Sequence, residues 1–170
     1  MEYKDKYKFR AKKAIDKKWL TGLLFRKNPL QSCCEPYGQQ QQPEYFILST
    51  NFTNWRIPRQ VVLHKVSSDT IGQSTGATEL AYTSHGLKKG KVIFDGDILK
   101  IQSNHSNPEI VLVCWSAAKG GWTWLFVSGS CMAEEDIQKV EIIGNKWDNP
   151  EMLVTSSSDI VVPDGMIQYN

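Results

Sequence analysis

Residues 110–127, IVLVCWSAAKGGWTWLFV, decide the fold class. Two runs of aliphatic and aromatic residues, 110–115 and 122–127, flank a short segment that ends in Gly120-Gly121, a pattern typical of a β-hairpin. In the second run, alternate residues point to opposite faces of a strand, and both sets are largely apolar. We therefore expect both faces of this hairpin to be covered, and the hairpin to lie centrally in the fold.

Upstream of this hairpin, the chain contains further short β-branched or aromatic runs, each bounded by turn-forming residues. These runs are residues 45–48, 61–66, 92–94 and 98–101. Residues 88–91 and Asp95-Gly96 predict two tight corners around the short run 92–94, because glycine tolerates the positive φ of such turns. Since long helical patterns are absent, the sequence predicts a mainly β protein with a small barrel-like arrangement of antiparallel hairpins.

One or two short helices are predicted near the C-terminus. Ser130 can cap a helix over residues 130–138, whose acidic residues lie near the positive end of the helix dipole. Asn149 and Pro150 fit the N-cap and the first position of a second helix. The segment 155–170 contains a Pro-Asp-Gly sequence between apolar residues and is predicted to form an arm or a hairpin.

The chain is predicted to divide into four segments. Residues 1–30 form a basic N-terminal hairpin region, 31–44 a loop rich in Gln and Pro, 45–154 the β-rich main domain, and 155–170 the C-terminal arm. With 170 residues, of which 41% are hydrophobic, the chain can bury a core without disulfide bonds or metals. A lysine-rich N-terminus and the lack of an apolar stretch of about 18 residues favour a cytoplasmic protein that does not bind membranes.

Charge is distributed unevenly along the chain. Residues 1–27 contain ten basic and three acidic residues, a charge of +7, whereas the remainder contains ten basic and fifteen acidic residues, a charge of −5. Three interpretations stay open: oppositely charged surfaces within one molecule, pairing between subunits, and phosphate binding by the basic end. The second interpretation predicts a homo-oligomer, and the third predicts a nucleic-acid partner.

Basic and aromatic residues near the N-terminus are the candidate binding residues. They are Lys4, Lys6, Lys8, Arg10, Lys12, Lys13 and Trp19. Small β proteins bind single-stranded nucleic acids with such combinations of cations and aromatic rings. Most of the six tryptophans are nevertheless expected to fill the core, because each of them buries a large apolar area.

Patterns that indicate catalysis or metal binding are weak. Asp95 and Asp97 flank Gly96 and would suit a metal-dependent hydrolase, but an Asp-Gly pair is also ordinary in a tight turn, which is the interpretation we favour. Cys131 lies at a predicted helix start, yet the sequence identifies no base that would activate it. Because the cysteines and histidines lack paired metal-ligand spacing, we predict no metal. Without a secretory signal the cysteines are expected to be free thiols, and without a catalytic constellation we expect no cofactor and no enzyme activity.

Three stretches, in order along the chain, resemble the YopX family of phage and prophage proteins. The first is Lys8-Phe9-Arg10-Ala11 with Lys18-Trp19 and Gly22, similar to a KFRAW-like opening. The second comprises Gly72-Gln73, Thr75-Gly76, Gly90-Lys91 and Ile93-Phe94-Asp95-Gly96-Asp97-Ile98, similar to the motifs GQ-x-TG and NGK-x-IYEGDIV. The third comprises Val140-Glu141-Ile142-Ile143-Gly144-Asn145 and Asp148-Asn149-Pro150-Glu151-Met152-Leu153, similar to EVIGNIYDNPELL.

This resemblance extends from Lys8 to Leu153, and the chain differs from the family by an insertion at 77–86 and a tail after Leu153. It implies a strand-rich protein of the bacterial host cytoplasm, with no established function and no catalytic residues to transfer. The matching polar and glycine positions are interpreted as turn makers. They are Gly72, Gln73, Gly76, Gly90, Asp95, Gly96, Asp97, Gly144, Asn145, Asn149 and Pro150.

The sequence as a whole predicts a non-enzymatic phage accessory protein that acts through self-association or through binding an unknown phage or host protein. The first alternative is a module that binds single-stranded nucleic acid through the basic N-terminal residues and tryptophan. The second alternative is a metal-dependent hydrolase that uses Asp95 and Asp97.

Overall fold

A computed structural model describes residues 8–29, 42–52, 58–84, 86–103, 107–127 and 137–154. Strands occupy most of these residues, which confirms the mainly β prediction. The strands are β1 (Phe9–Lys12), β2 (Trp19–Lys27), β3 (Glu44–Phe52), β4 (Pro58–Val66), β5 (Gly72–Thr83), β6 (Gly86–Phe94), β7 (Asp97–Ser103), β8 (Glu109–Ser116), β9 (Gly121–Phe126) and β10 (Ile137–Asn145). Short 3₁₀ turns are formed by Ser68–Thr70 and Pro150–Leu153.

The hydrogen-bonded order of the strands is β4-β3-β2-β1-β5-β10-β7-β8-β9, and β6 pairs with β5. Across the described residues this order is open at β4 and at β9, so the predicted barrel-like arrangement is wrong. A closed barrel requires the two terminal strands to pair, and no pairing of β4 with β9 is found among the described residues. Strand β1 is internal, with β2 on one edge and β5 on the other, and an isolated bridge joins Lys13 to Val66. The chain divides into two compact units, Met1–Ser74 and Thr75–Asn170, whereas the four segments read from the sequence stay a prediction.

The N-terminal unit, Met1–Ser74, is built on β1 to β4, and one face of this sheet carries its core. The buried core residues are Ala11, Ile47, Val66 and Ile71. Gly22 on β2 lies where β2 meets β3, and a Cβ atom there would be 2.9 Å from Ile47 Cγ2 and closer still to the Leu48 carbonyl oxygen. Glycine therefore permits the close approach of β2 and β3.

The C-terminal unit, Thr75–Asn170, has a second core between its strands. The buried residues of this core are Ile93, Leu99, Ile101, Val111, Val113 and Val140. The β8–β9 hairpin is confirmed, with Trp115 opposite Trp122 and Gly120 at φ 61° in its turn. Its predicted central position is wrong, because β7 occupies the other edge of β8 and β9 ends the strand order.

The tight corner predicted at residues 88–91 is also wrong, because these residues continue β6. Glu79 on β5 gives the physical reason. Its carboxylate accepts hydrogen bonds of 2.9 Å from the backbone N–H groups of Lys91 on β6 and Ile142 on β10. A Cβ atom at Gly90 would collide with the Glu79 side chain, so this glycine serves close packing of two strands instead of a turn.

Neither predicted C-terminal helix is confirmed. Pro150–Leu153 forms only a 3₁₀ turn after Asn149, whose side chain makes no capping hydrogen bond. Residues 130–136 lie outside the described residues, and Ile137 and Gln138 begin β10, where pairing with β7 holds the chain extended. Residues 31–41 of the predicted loop and the predicted arm 155–170 also lie outside the described residues.

Glu79 offers a test of the packing of β5, β6 and β10. Replacing Glu79→Ala removes the acceptor of two backbone N–H groups, and we expect the free energy of unfolding to fall by about 1.5–3 kcal/mol. Chemical denaturation followed by tryptophan fluorescence measures this loss. Glu141→Ala is the matched control, because Glu141 forms an exposed surface pair with Lys139 and such pairs contribute little to stability. Equal losses in the two variants would contradict the bridging role of Glu79.

Candidate protein-binding face

The face of the N-terminal sheet opposite its core is called the outer face below. Along β2, Leu23 and Phe25 are exposed whereas Leu24 between them is half-buried. Along β4, Val61 and Leu63 are exposed on either side of the half-buried Val62. Strand geometry sends alternate side chains to opposite faces, so the outer face receives the exposed apolar set.

Cross-strand pairing gathers these side chains into rows. Leu23 pairs with Leu48, and Leu48 pairs with Leu63, so three leucines lie side by side across β2, β3 and β4. The next row joins Phe25 to Phe46. The exposed fractions are 51% for Leu23 and Phe25 on β2 and 55% for Leu63 on β4, whereas Leu48 and Phe46 on β3 between them are half-buried. Large apolar side chains grouped on one face of a sheet in this way mark an interaction surface.

An ionic cluster borders the phenylalanine row. Lys27 pairs across the strands with Glu44, and its ammonium group lies 3.7 Å from the Glu44 carboxylate. Lys65 on β4 forms a hydrogen-bonded ion pair with the same carboxylate. The hydrogen bond and charge of Lys65, with a smaller contribution from Lys27, lower the pKa of Glu44 below its usual value. Glu44 is therefore ionised at neutral pH, and the outer face ends in alternating charges.

The opposite end of the outer face is basic and aromatic. Lys12 pairs with Trp19 across β1 and β2, with its ammonium group 5.3 Å from the centre of the indole ring. The Arg10 guanidinium carbon lies 4.8 Å from the same ring centre. Two cations thus share one indole ring through cation–π contacts.

The structure brings together three of the seven predicted binding residues, Arg10, Lys12 and Trp19. Lys13 lies beside them in sequence but pairs with Asp16 at 3.7 Å. The backbone carbonyl of Lys8 accepts a 2.8 Å hydrogen bond from Ser74, which joins β1 to β5. Lys4 and Lys6 lie outside the described residues.

Asp95 and Asp97 occupy the corner between β6 and β7 and are both buried. One carboxylate oxygen of Asp97 accepts a 2.8 Å hydrogen bond from the backbone N–H of Phe94. Gly96 between them has φ 77°, and its N–H donates to the Val113 carbonyl at 2.9 Å. The corner predicted from the sequence is therefore confirmed, and Asp97 stabilises its backbone.

Lys146 and Trp147 cover this corner. The Lys146 N–H donates to the Gly96 carbonyl at 2.8 Å, and its ammonium group lies 4.0 Å from an Asp95 carboxylate oxygen. A Cβ atom at Gly96 would lie 2.6 Å from the Trp147 ring, so the indole packs directly on the glycine. Burial raises the pKa of the nearby Cys114 thiol, and the charge of Asp95 raises it further.

The remaining turn candidates fall into two groups. Asn145 makes a turn, since its side-chain oxygen accepts hydrogen bonds from the N–H groups of Trp147 and Asp148 at 3.1 and 3.0 Å. Asn149 and Pro150 begin the second 3₁₀ turn. The others lie within strands, and they are Gly72, Gln73 and Gly76 in β5, Gly90 in β6 and Gly144 in β10.

No group of three or more His, Cys, Asp or Glu side chains that could hold a metal ion is found in the part of the chain that the structure describes. Within the same residues, no helix has the length and apolarity needed to cross a membrane. Cys131 and Trp55 lie outside the described residues. Trp122 and Trp124 are half-buried and pack against the C-terminal core, whereas Trp115 is 41% exposed. The prediction that most tryptophans fill the core is therefore not confirmed.

The outer face was not identified by the sequence analysis. The available signal was the runs Leu23-Leu24-Phe25 and Val61-Val62-Leu63, in which both alternate positions are apolar. Two apolar sets on one strand predict either burial on both faces or an exposed binding face, and only the burial of each residue distinguishes these outcomes.

Comparison with known proteins gives one match. The family model described as YopX protein matches residues 8–154, which confirms the resemblance noted in the sequence. No curated protein and no solved structure matches the chain.

The role of Asp97 can be tested by substitution. Asp97→Ala leaves the buried Phe94 N–H without this acceptor, and we expect a loss of about 1–3 kcal/mol in the free energy of unfolding. Asp97→Asn keeps an acceptor oxygen and should lose less. Denaturation curves measure both effects. A fully stable Asp97→Ala variant, combined with magnesium binding by the original protein in calorimetry, would instead favour the hydrolase alternative.

Proposed function

The chain belongs to the YopX family, and we propose that it is a non-enzymatic phage or prophage accessory protein that acts by protein–protein association through its outer face. The observation that carries this proposal is the pair of apolar rows, Leu23–Leu48–Leu63 and Phe25–Phe46. The β2 and β4 members of these rows are exposed, and the β3 members are half-buried. Contact of such side chains with water is unfavourable. Association that buries them contributes a favourable free energy of roughly 25 cal/mol per Å² of apolar area removed from water.

The residue types of the outer face support the same proposal. Phenylalanine is enriched in the centres of protein interfaces, and charged groups such as Lys27 and Glu44 are typical of their rims. The two candidate catalytic carboxylates support a non-enzymatic role, because Asp97 accepts a hydrogen bond from backbone and Asp95 is buried with the Lys146 ammonium group 4.0 Å away. We place the protein in the host cytoplasm, where the sequence analysis expects it.

Self-association provides a direct measurement of this function. We expect the full-length protein to form a concentration-dependent assembly in sedimentation velocity. The variants Leu23→Asp and Leu63→Asp should raise the dissociation constant of this assembly by at least about tenfold, because association would bury the introduced charge. Leu87→Asp is the matched control, since Leu87 is an exposed leucine on β6 in the other unit. A protein that stays monomeric at both low and high salt would contradict self-association.

A second candidate function, binding of single-stranded nucleic acid, is favoured by the cluster of Arg10, Lys12 and Trp19. If it is correct, an oligonucleotide quenches tryptophan fluorescence at low salt, and the affinity falls steeply as salt is added. Trp19→Phe should remove most of the quenching, whereas Trp115→Phe should not. Unchanged fluorescence at low salt would remove this candidate.

A further inference from the structure

The outer face has a repeated pattern across the line where β2 and β3 meet, called the β2/β3 seam below. Its cross-strand partners are Leu23 with Leu48, Phe25 with Phe46, and Lys27 with Glu44. The first two rows join residues of the same type, and the third joins residues of opposite charge. Because cross-strand partners lie on the same face of a sheet, all three rows are presented together.

Such a pattern is complementary to itself. A rotation by 180° about an axis along the seam exchanges the β2 member and the β3 member of each row. It places leucine on leucine, phenylalanine on phenylalanine, and each lysine on a glutamate. Symmetric dimers require this property, because in an isologous interface a residue i contacts j while j contacts i.

We infer that the outer face binds a second copy of this chain face to face, around a two-fold axis along the β2/β3 seam. The inference rests on the proposed function, to which it adds the identity of the partner and the geometry of the contact. In this dimer β2 lies over the β3 strand of the second copy. Lys27 contacts the partner's Glu44, and Glu44 contacts the partner's Lys27. Twisted sheets that pack in this way cross at roughly 30°.

A different symmetry axis gives a poorer match. A two-fold axis across the strands at Leu23 would place Phe25 over the partner's Thr21 and Lys27 over the partner's Trp19. Thr21 lies on the outer face because its cross-strand partner, Arg10, lies on that face. That arrangement covers an aromatic ring with a hydroxyl group and leaves both charged ends without opposite charges. At β2 and β3 the axis along the seam keeps leucine on leucine and phenylalanine on phenylalanine and therefore leaves fewer polar groups desolvated there. The outer strands exchange in the same rotation, so Leu63 on β4 lies over β1 of the second copy.

A second copy also matches the charged row of the seam, Lys27 and Glu44. Glu44 lies between Lys27 at 3.7 Å and Lys65, so this end of the face has two cations for one carboxylate. The seam axis gives each Lys27 a second carboxylate from the other copy, which adds opposite-charge contacts at the rim without any residue from another protein. Rim charges of this kind select the partner and the register of an interface.

Charge reversal tests the geometry with full-length protein. Lys27→Glu or Glu44→Lys alone brings like charges together twice in the dimer, and we expect dimerisation at least about tenfold weaker than in the original protein. A 1:1 mixture of the two variants restores opposite charges between copies, although neither chain regains its own Lys27–Glu44 pair. We therefore expect heterodimers of near-original affinity, measured by native mass spectrometry with one variant isotopically labelled.

The pair Lys139→Glu and Glu141→Lys is the matched control. These residues form an ion pair at 2.6 Å, both 47% exposed, in the C-terminal unit. Each control variant should dimerise like the original protein, and their mixture should show no preference for heterodimers. Mixed Lys27 and Glu44 variants that fail to form heterodimers, while Leu23→Asp still dissociates the assembly, would overturn the seam geometry and leave the proposed function standing. A strictly monomeric original protein would overturn this inference and the self-association form of the proposed function.

Discussion

The register between β2 and β3 is the constraint on which the N-terminal unit depends. Gly22 lies so close to the Leu48 carbonyl and the Ile47 side chain that no Cβ atom fits at this position. A shift of one residue would move every side chain of the strand to the opposite face. The observed register sends Ile47 to the core and Leu48 to the outer face, so the core and the exposed apolar rows are consequences of a single pairing.

The C-terminal unit depends in a similar way on polar groups that bind backbone. Glu79 accepts hydrogen bonds from two different strands, and Asp97 accepts one at the corner between β6 and β7. Carboxylates in such positions are structural, because their oxygens accept hydrogen bonds from backbone N–H groups, and that of Phe94 is buried and would otherwise destabilise the fold. This explains why acidic residues near glycines can resemble a catalytic pair in the sequence while they stabilise a turn in the structure.

Sequence patterns predicted the strand runs well, since β-branched and aromatic segments bounded by turn residues describe local geometry. All six runs lie in strands, except that Val127 follows the end of β9 and that 92–94 is only the last part of β6. The Asp95-Gly96 corner was predicted for the same reason, because positive φ at Gly96 is a local requirement. The corner at 88–91 failed because Gly90 is required by the side chain of Glu79, a residue of another strand that the local pattern does not contain.

The sequence by itself determined the mainly β class, the family and the separation of a basic N-terminus from a more acidic remainder, since each of these is a property of residue order alone. Only the tertiary structure decided the open strand order, the terminal position of the β8–β9 hairpin and the exposure of Leu23, Phe25 and Leu63. The physical reason is that a strand edge or face is buried by residues far away in the sequence. An apolar run indicates that its side chains are more stable away from water. Which neighbouring residues cover those side chains depends on how the strands pair across the sheet.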